Sequence, residues 1–249
     1  MKSLTLIDWK SSKGIYDEYR IQVAAYAEAY NLKALAEGRP LVERVGVLRL
    51  DKETGAPEYC DCTEGMEERF KAFAAVREYF RIMIEPGASG KRFYAYEDRK
   101  FPSVTTILGC LDKPALVQWA ANSTVEHIES ILPELANANP DQVAALLKSA
   151  KTAFRRTSKK ACDIGTLVHD MIECHLSGGM PESLLDEVGK TVKDKATNSF
   201  LAFLEWKDQV HLEPVALEHT VYHPALAYAG TCDAVAWLDL DGTRAEAVA

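Results

Sequence analysis

Two acidic residues and one lysine lie at the ends of apolar stretches that are far apart in the chain. Asp8 and Lys10 close the stretch LTLID near residue 1, and Asp233 lies in a second apolar stretch more than 200 residues later. Because side chains alternate along a strand, we expect Asp8 and Lys10 on one face, with the Trp9 carbonyl between them. If the two strands pair as neighbours, Asp8 and Asp233 converge on one hard cation.

This set of side chains suits one kind of chemistry. Mg²⁺ prefers oxygen ligands, usually one or two carboxylates together with waters and phosphate oxygens of the substrate. The ion lowers the pKa of a coordinated water and neutralises charge that develops on phosphate. A lysine ammonium can orient that water or stabilise the transition state. Asp8, Lys10 and Asp233 therefore indicate phosphodiester hydrolysis, with these three as the catalytic residues.

Two helical fragments could complete the site. Gln22 and Tyr26 are one helical turn apart, so both face one side of the helix that follows Lys10, where an amide and a hydroxyl can support the site or contact nucleic acid. His169 lies in the fragment 165–173, and an imidazole would admit Mn²⁺ as well as Mg²⁺. Each fragment alone is also compatible with an ordinary structural role: a solvated surface pair, an amphipathic helix or a core histidine.

The elements that must position these residues follow from hydrophobic periodicity and turn signals. The pattern predicts an α/β fold of the α+β kind, with a central mixed β-sheet flanked by helices. Strands are expected at 4–8, 42–50, 58–62, 215–222 and 231–240, with a hairpin over 92–100. Helices are expected at 16–36, 66–83, 113–132, 140–160, 164–176 and 184–209.

Length and composition limit the alternatives. With 249 residues and 47% hydrophobic content, the chain is expected to form one domain, 1–249. The six cysteines form no CxxC framework, which argues against structural zinc or an iron–sulfur cluster and for reduced thiols. No run of about 18 apolar residues and no leader pattern is present. We therefore expect a soluble, cytoplasmic protein that has no membrane partner.

The net charge of the whole chain is −8, which is unfavourable for binding phosphates. The lysines and arginines, however, are concentrated in a few stretches. Either of two basic stretches could follow a line of phosphates, or could be a solvated surface. One stretch contains Lys91, Arg92, Arg99 and Lys100, and the other contains Lys148, Lys151, Arg155, Arg156, Lys159 and Lys160.

Taken together, these fragments resemble the RecB-like and phage exonuclease branch of the PD-(D/E)XK nuclease superfamily. The resemblance covers most of the chain and rests on the segment 102–108 with Trp119, the histidine helix 165–173, the acidic strand 230–235, the Asp-x-Lys strand 7–12 and the Gln-x-x-x-Tyr motif 22–26. It implies a restriction-endonuclease-like core. It also implies a Mg²⁺ or Mn²⁺ ion that is held by Asp233, Asp8, the Trp9 carbonyl and His169, with Glu218 near the metal through water. Lys10 would assist the attacking water. Gln22 and Tyr26 would support the site or contact DNA.

The order of the motifs departs from the family. There the histidine helix and the acidic strand precede the Asp-x-Lys strand, whereas here they follow it. The sequence is therefore interpreted as a circular permutant, in which 1–85 is the C-terminal half of the family fold, 86–90 a linker and 91–249 the N-terminal half. The termini of a domain often lie close together, so that joining them and opening the chain elsewhere costs little stability. Both a monomer and a strand-swapped dimer stay open.

The resulting expectation is a Mg²⁺- or Mn²⁺-dependent deoxyribonuclease, an exonuclease that acts on DNA ends or single strands in phage or cellular recombination and repair. A nucleic-acid-binding module that keeps the fold but cuts poorly is the alternative, since opening the catalytic hairpin could displace Asp8. A metal-free structural or assembly protein is a third possibility.

Overall fold

The structure is a computed structural model that describes residues 2–87, 92–186 and 188–240. Its strands are β1 (Lys2–Lys10), β2 (Arg44–Leu50), β3 (Pro57–Asp61), β4 (Phe93–Tyr96), β5 (Arg99–Pro102), β6 (Glu213–His223) and β7 (Tyr228–Asp239). Its α-helices are α1 (Asp17–Ala36), α2 (Met66–Met83), α3 (Val104–Leu108), α4 (Pro114–Ser130), α5 (Leu132–Ala136), α6 (Pro140–Ala150), α7 (Ala153–Leu176) and α8 (Lys190–Gln209).

The chain divides into two compact units. The sheet unit comprises Met1–Cys110 and Leu167–Ala249, and the helical unit comprises Leu111–Thr166. Within the helical unit α4, α5 and α6 pack on one another. The expectation of a single domain over 1–249 stays a prediction. No described helix is long and apolar enough to cross a lipid bilayer.

The sheet unit is built on a mixed five-stranded sheet with the order β3-β2-β1-β7-β6. Strand β1 is central, parallel to β2 and antiparallel to β7, and the outer pairs β2–β3 and β6–β7 are antiparallel. The predicted α+β architecture with a mixed central sheet is confirmed. The condition on which the site depended, that the strands of Asp8 and Asp233 pair as neighbours, is also met.

Helices on both faces explain why the central strand is apolar. Six successive residues of β1, from Leu4 to Trp9, are buried, as expected for a strand covered on both sides. On one face Trp9 packs edge-on against Phe203 of α8, with ring centroids 5.5 Å apart, and Tyr59 of β3 stacks on Trp206 of the same helix.

The other face is covered by α1 and α2. Tyr228 at the start of β7 packs edge-on against Phe73 of α2, with ring centroids 4.7 Å apart. Its hydroxyl donates to the carbonyl of Ala25 in α1 at 2.9 Å, so the buried polar tip is satisfied. This contact fixes α1 against β7, the strand that contains Asp233.

Some predicted boundaries were wrong. The helix expected over 140–160 is interrupted, and its second part continues without a break into the helix expected over 164–176. At the break the hydroxyl of Ser149 donates to the carbonyl of Leu146 at 2.7 Å, and the hydroxyl of Thr152 donates to the carbonyl of Ser149 at 3.1 Å. Such side-chain bonds compete with the helical hydrogen-bond ladder, which periodicity does not register.

The start of the last helix also differs from the prediction. Its first residue is Lys190 rather than a residue near 184, because Pro181–Leu185 form a separate short 3₁₀ helix. Of the predicted linker 86–90, Pro86 and Gly87 end a 3₁₀ turn, and residues 88–90 lie outside the described residues.

Candidate metal centre

Strand β1 places Asp8 on the α1 side of the sheet and Trp9 on the α8 side, as alternation predicts. Asp8 is only 2% exposed. The ammonium of Lys10, two residues on, forms an ion pair with Asp8 Oδ2. The predicted shared face of Asp8 and Lys10 is therefore confirmed.

Strand β7 brings Asp233 to the same place. Ile7 pairs with Ala234, so the next residues along the ladder are Asp8 and Asp233. The Trp9 amide donates a hydrogen bond to Asp233 Oδ2 at 2.6 Å. Residues separated by more than 200 positions thus form one acidic centre, because β1 and β7 are adjacent strands.

Helix α1 contributes a buried amide and a buried hydroxyl. Gln22 donates through Nε2 to Asp8 Oδ1 at 3.1 Å and to the Tyr26 hydroxyl oxygen at 3.0 Å. Both side chains are almost fully buried. The predicted position of Gln22 and Tyr26 on one face of the helix, towards the site, is therefore confirmed.

A glycine in β7 makes room for this arrangement. A Cβ atom added to Gly230 would overlap the Tyr26 ring at Cε1. Only glycine permits this close approach of an aromatic ring to the strand backbone. Gly230 therefore fixes how deeply Tyr26 enters the site.

Helix α7 supplies an imidazole. His169 Nδ1 lies 3.5 Å from Asp233 Oδ1. Burial alone would lower the pKa of His169, but the hydrogen bond and the negative charge of Asp233 raise it overall. His169 therefore lies beside Asp233 and is not an isolated core histidine, and its role as a metal ligand stays a prediction.

The site contains a cluster of three groups that can hold a metal ion. One ligand atom from each of His169, Glu218 and Asp233 lies within 4.8 Å of the others. Glu218, which the resemblance places near the metal through water, therefore lies beside Asp233 and His169. Asp8 is not one of these three groups, and its Oδ2 faces Lys10 instead.

Glu218 has an unusual backbone. Its φ is +42°, in the left-handed region that non-glycine residues rarely occupy. Burial, together with the charge of Asp233, raises the pKa of its carboxyl group to about 7. The positive φ and the raised pKa are two observations that single out Glu218 as a candidate functional residue. No signal in the sequence reveals the positive φ.

The electrostatics of the site are those of crowded, buried acids. Burial raises the pKa of Asp8; the Lys10 ammonium opposes this and the Asp233 charge adds to it. Burial would lower the pKa of Lys10, but Asp8 and Asp233 raise it overall, so the amine stays charged. Repulsion among the carboxyl groups is thus one cause of the raised pKa of Asp8 and of Glu218, and a bound cation would relieve it.

The donor set tests whether a metal fits. Asp8 Oδ2 is occupied by the Lys10 ammonium, whereas His169, Glu218 and Asp233 each offer a ligand atom within 4.8 Å of the others. Two carboxylates and an imidazole are ligands that suit Mg²⁺ or Mn²⁺. The residues present therefore fit a bound cation. The role of the Trp9 carbonyl as a ligand stays a prediction.

The two basic stretches differ in their surroundings. The guanidinium groups of Arg92 and Arg99 lie over the rings of Tyr94 and Phe101, at 5.0 and 4.8 Å from the centroids, and Lys91 lies outside the described residues. The cations of the second stretch belong to the helical unit and are exposed; they are Lys148, Lys151, Arg155, Arg156, Lys159 and Lys160.

Comparisons of this chain with protein-family models, with curated proteins and with solved structures give no match.

Proposed function

We propose that this protein is a Mg²⁺- or Mn²⁺-dependent deoxyribonuclease of the PD-(D/E)XK type. The observation that supports this best is the pairing of β1 with β7, which unites Asp8, Lys10 and Asp233 next to His169. Two acids, one amine and an imidazole in a partly enclosed centre form the set expected for metal-assisted phosphodiester hydrolysis.

The cation would be held by Asp233, Glu218 and His169, with Asp8 as a fourth ligand once its oxygen is shared with Lys10. Carboxylate oxygens suit Mg²⁺, and the imidazole extends the choice to Mn²⁺. When bound, such an ion polarises the phosphate and lowers the pKa of a water molecule.

Lys10 is the residue that we assign to the attacking water. Its pKa is raised, so it remains an ammonium that donates hydrogen bonds without accepting a proton. Its side chain is 19% exposed and its amine lies 5.0 Å from the centroid of the Tyr19 ring. A partly exposed cation beside buried acids can reach both a water molecule and a phosphate oxygen.

Gln22 and Tyr26 are proposed as positioning residues. Their burial and their mutual hydrogen bond favour support of Asp8 over contact with a DNA backbone. A second layer of hydrogen bonds orients metal ligands and tunes their basicity. The Gln22 amide fixes the Asp8 carboxylate from Oδ1 and leaves Oδ2 for a cation.

The restriction-endonuclease-like fold and its circular permutation are part of this proposal. In the family order a hairpin leads from the acidic strand to the Asp-x-Lys strand. Here Lys2 pairs with Asp239, so these strands lie side by side in the register that such a hairpin would require. The mixed sheet with α1 directly after β1 supports the same assignment.

DNA ends or single strands are the proposed substrate, in phage or cellular recombination and repair, and an exonuclease is the proposed mode. The exposed cations of the helical unit support a polyanionic substrate. A binding module that does not cut is the alternative, and the same experiment separates the two.

The test compares Asp233→Asn, Asp8→Asn and Lys10→Gln with the matched control Asp194→Asn, an exposed acid on α8. We expect Asp233→Asn to lose Mn²⁺ binding, Asp8→Asn to bind Mn²⁺ more weakly and Lys10→Gln to bind it as the wild-type protein does. All three should lose DNA cleavage by at least a hundredfold while DNA binding persists, because removal of one charge-stabilising group costs about 10²–10³ in rate. Absence of cleavage by the wild-type protein in both Mg²⁺ and Mn²⁺ would favour the binding module.

A further inference from the structure

The helical unit contains an open groove between α4 and α7, with a volume of about 420 Å³. Its wall is apolar and its rim is polar. Leu116, Trp119 and Phe154 contribute to the wall, and Arg155, Ser158 and Lys159 form the rim. No carboxylate is among its lining residues.

The wall offers aromatic surface to solvent. Trp119 and Phe154 meet edge-on, with centroids 6.5 Å apart, and both rings are partly exposed. The guanidinium of Arg155 lies 5.7 Å from the centroid of the Phe154 ring. Leu116, 55% exposed, extends the apolar surface beside Trp119. Partly exposed aromatic rings next to an arginine form a surface on which nucleobases stack, since every base has a π-face.

The rim belongs to the most basic segment of the protein. From Gln142 to Cys162 the chain has six lysines and arginines and no acidic residue, although its net charge is −8. All six are exposed, and within the described residues none of them forms an ion pair. Arg155 and Lys159 are four residues apart on one helix, so their side chains are neighbours. A polyanion is attracted here and repelled by most of the remaining surface.

We propose that this groove binds single-stranded DNA, with a base stacked on Trp119 and the adjoining phosphates held by Arg155 and Lys159. The inference rests on the proposed nuclease function and names the form of the substrate. A duplex is excluded by the chemistry of the wall, because its bases are already stacked on one another and only its edges and phosphates are accessible. Ser158 supplies a further hydrogen-bond donor for phosphate oxygen.

The test measures binding of a fluorescein-labelled oligo(dT) to the full-length protein in EDTA, so that no cleavage occurs. Trp119→Leu keeps apolar bulk but removes the aromatic face, and we expect it to weaken binding about tenfold. Trp119→Phe keeps a ring and should bind like the wild-type protein. Tyr79→Leu, which removes a ring that is 54% exposed on α2, is the matched control and should have no effect. Circular dichroism checks that each variant folds.

Salt dependence tests the rim separately. Replacing Arg155 and Lys159 together by Gln should reduce the slope of log affinity against log salt by about 1.4, since each phosphate contact to a single strand contributes about 0.7. The double variant Lys190→Gln with Lys193→Gln, two exposed lysines on α8, should leave the slope unchanged. Equal affinities for Trp119→Leu and wild type, an unchanged slope in the rim variant, or a duplex bound as tightly as the single strand would each overturn the proposal.

Failure of the groove and failure of the nuclease assignment are distinguishable. Binding in EDTA does not depend on the metal centre, and cleavage of a free mononucleotide diester such as thymidine 5′-p-nitrophenyl phosphate does not require the groove. Loss of oligonucleotide binding in Trp119→Leu with unchanged hydrolysis of the small diester supports the groove. Wild-type oligonucleotide binding by a protein that hydrolyses neither substrate leaves the groove supported and rejects the nuclease.

Discussion

Gln22 donates one amide hydrogen to Asp8 Oδ1 and the other to the oxygen of Tyr26, so a single side chain connects the acid of β1 to the core of α1. The acid is buried and its other oxygen faces Lys10. The orientation of Asp8 is therefore set by Gln22 on one side and by a charged amine on the other. We expect the Lys10 ammonium to share Asp8 Oδ2 with a cation when one binds. The hydrogen bond from the Gln22 amide to Asp8 Oδ1 is then the contact that stays the same with and without the cation.

Replacing Gln22 by Leu should weaken Mn²⁺ binding by about 10- to 100-fold, because loss of a hydrogen-bonded support of a metal ligand typically has this effect. Isothermal titration calorimetry measures the affinity. Gln118→Leu, a change of the same kind on the exposed face of α4, is the control and should leave it unchanged. If Gln22→Leu binds Mn²⁺ as the wild-type protein does, Gln22 has no positioning role.

Gly230→Ala should destabilise the protein by about 1–3 kcal/mol, the usual range for overpacking a filled core, since the added Cβ overlaps the Tyr26 ring. Urea unfolding measures the change. Tyr26→Leu combined with Gly230→Ala should recover part of the loss, because the smaller side chain frees the space. Gly14→Ala, where a Cβ meets no atom within 4 Å, is the control. Additive losses in the double variant would show that the two residues are not coupled.

Much of the site could be predicted from the sequence because strand and helix periods are local properties. Alternation placed Asp8 and Lys10 on one face of β1, and the 3.6-residue period placed Gln22 and Tyr26 on one face of α1. Adjacency of β1 and β7 is not local, and from the sequence it is only a condition that must hold if Asp8 and Asp233 are to share one ion.

What sequence reasoning missed depends on the conformation of single residues. The backbone φ of +42° at Glu218 is one example, because glutamate has no preference for that region. The break between α6 and α7 follows from hydroxyl bonds of Ser149 and Thr152, which hydrophobic periodicity does not detect. The groove beside Trp119 requires tertiary contacts between α4 and α7 that spacing alone does not define.

Metal affinity should fall as the pH is lowered from about 8 to 6. In the metal-free protein the pKa of Asp8 lies above its ordinary 3.8 because of burial, and that of Glu218 is about 7. A cation must displace protons from these groups, and the competition is strongest below their pKa values. Isothermal titration calorimetry with Mn²⁺, in two buffers of different ionisation enthalpy, measures how many protons are released on binding. An affinity independent of pH would contradict this account.

The same pKa shifts predict that the stability of the metal-free protein falls as the pH rises, whereas its metal affinity increases. A carboxyl group whose folded pKa lies above its unfolded pKa favours folding while it is protonated, and this contribution is lost as the pH rises through the folded pKa. Asp8 and Glu218 should therefore make the metal-free protein less stable at pH 8 than at pH 6. Added Mn²⁺ should reverse the order. Thermal unfolding at both pH values, with EDTA and with Mn²⁺, tests the reversal, and Asp8→Asn should reduce it.

Glu218→Gly should separate stability from binding. Glycine adopts positive φ without strain, so the substitution should stabilise the metal-free protein by about 1 kcal/mol. It also removes a carboxylate from the cluster with His169 and Asp233, so Mn²⁺ affinity should fall by at least tenfold. Ala227→Gly, at a φ of +51° in the turn before β7, is the matched control: it should give a similar gain in stability with unchanged Mn²⁺ affinity. If Glu218→Gly is stabilised and still binds Mn²⁺ like the wild-type protein, Glu218 is strained for a reason other than metal binding, and the ion is held by Asp233 and His169 without it.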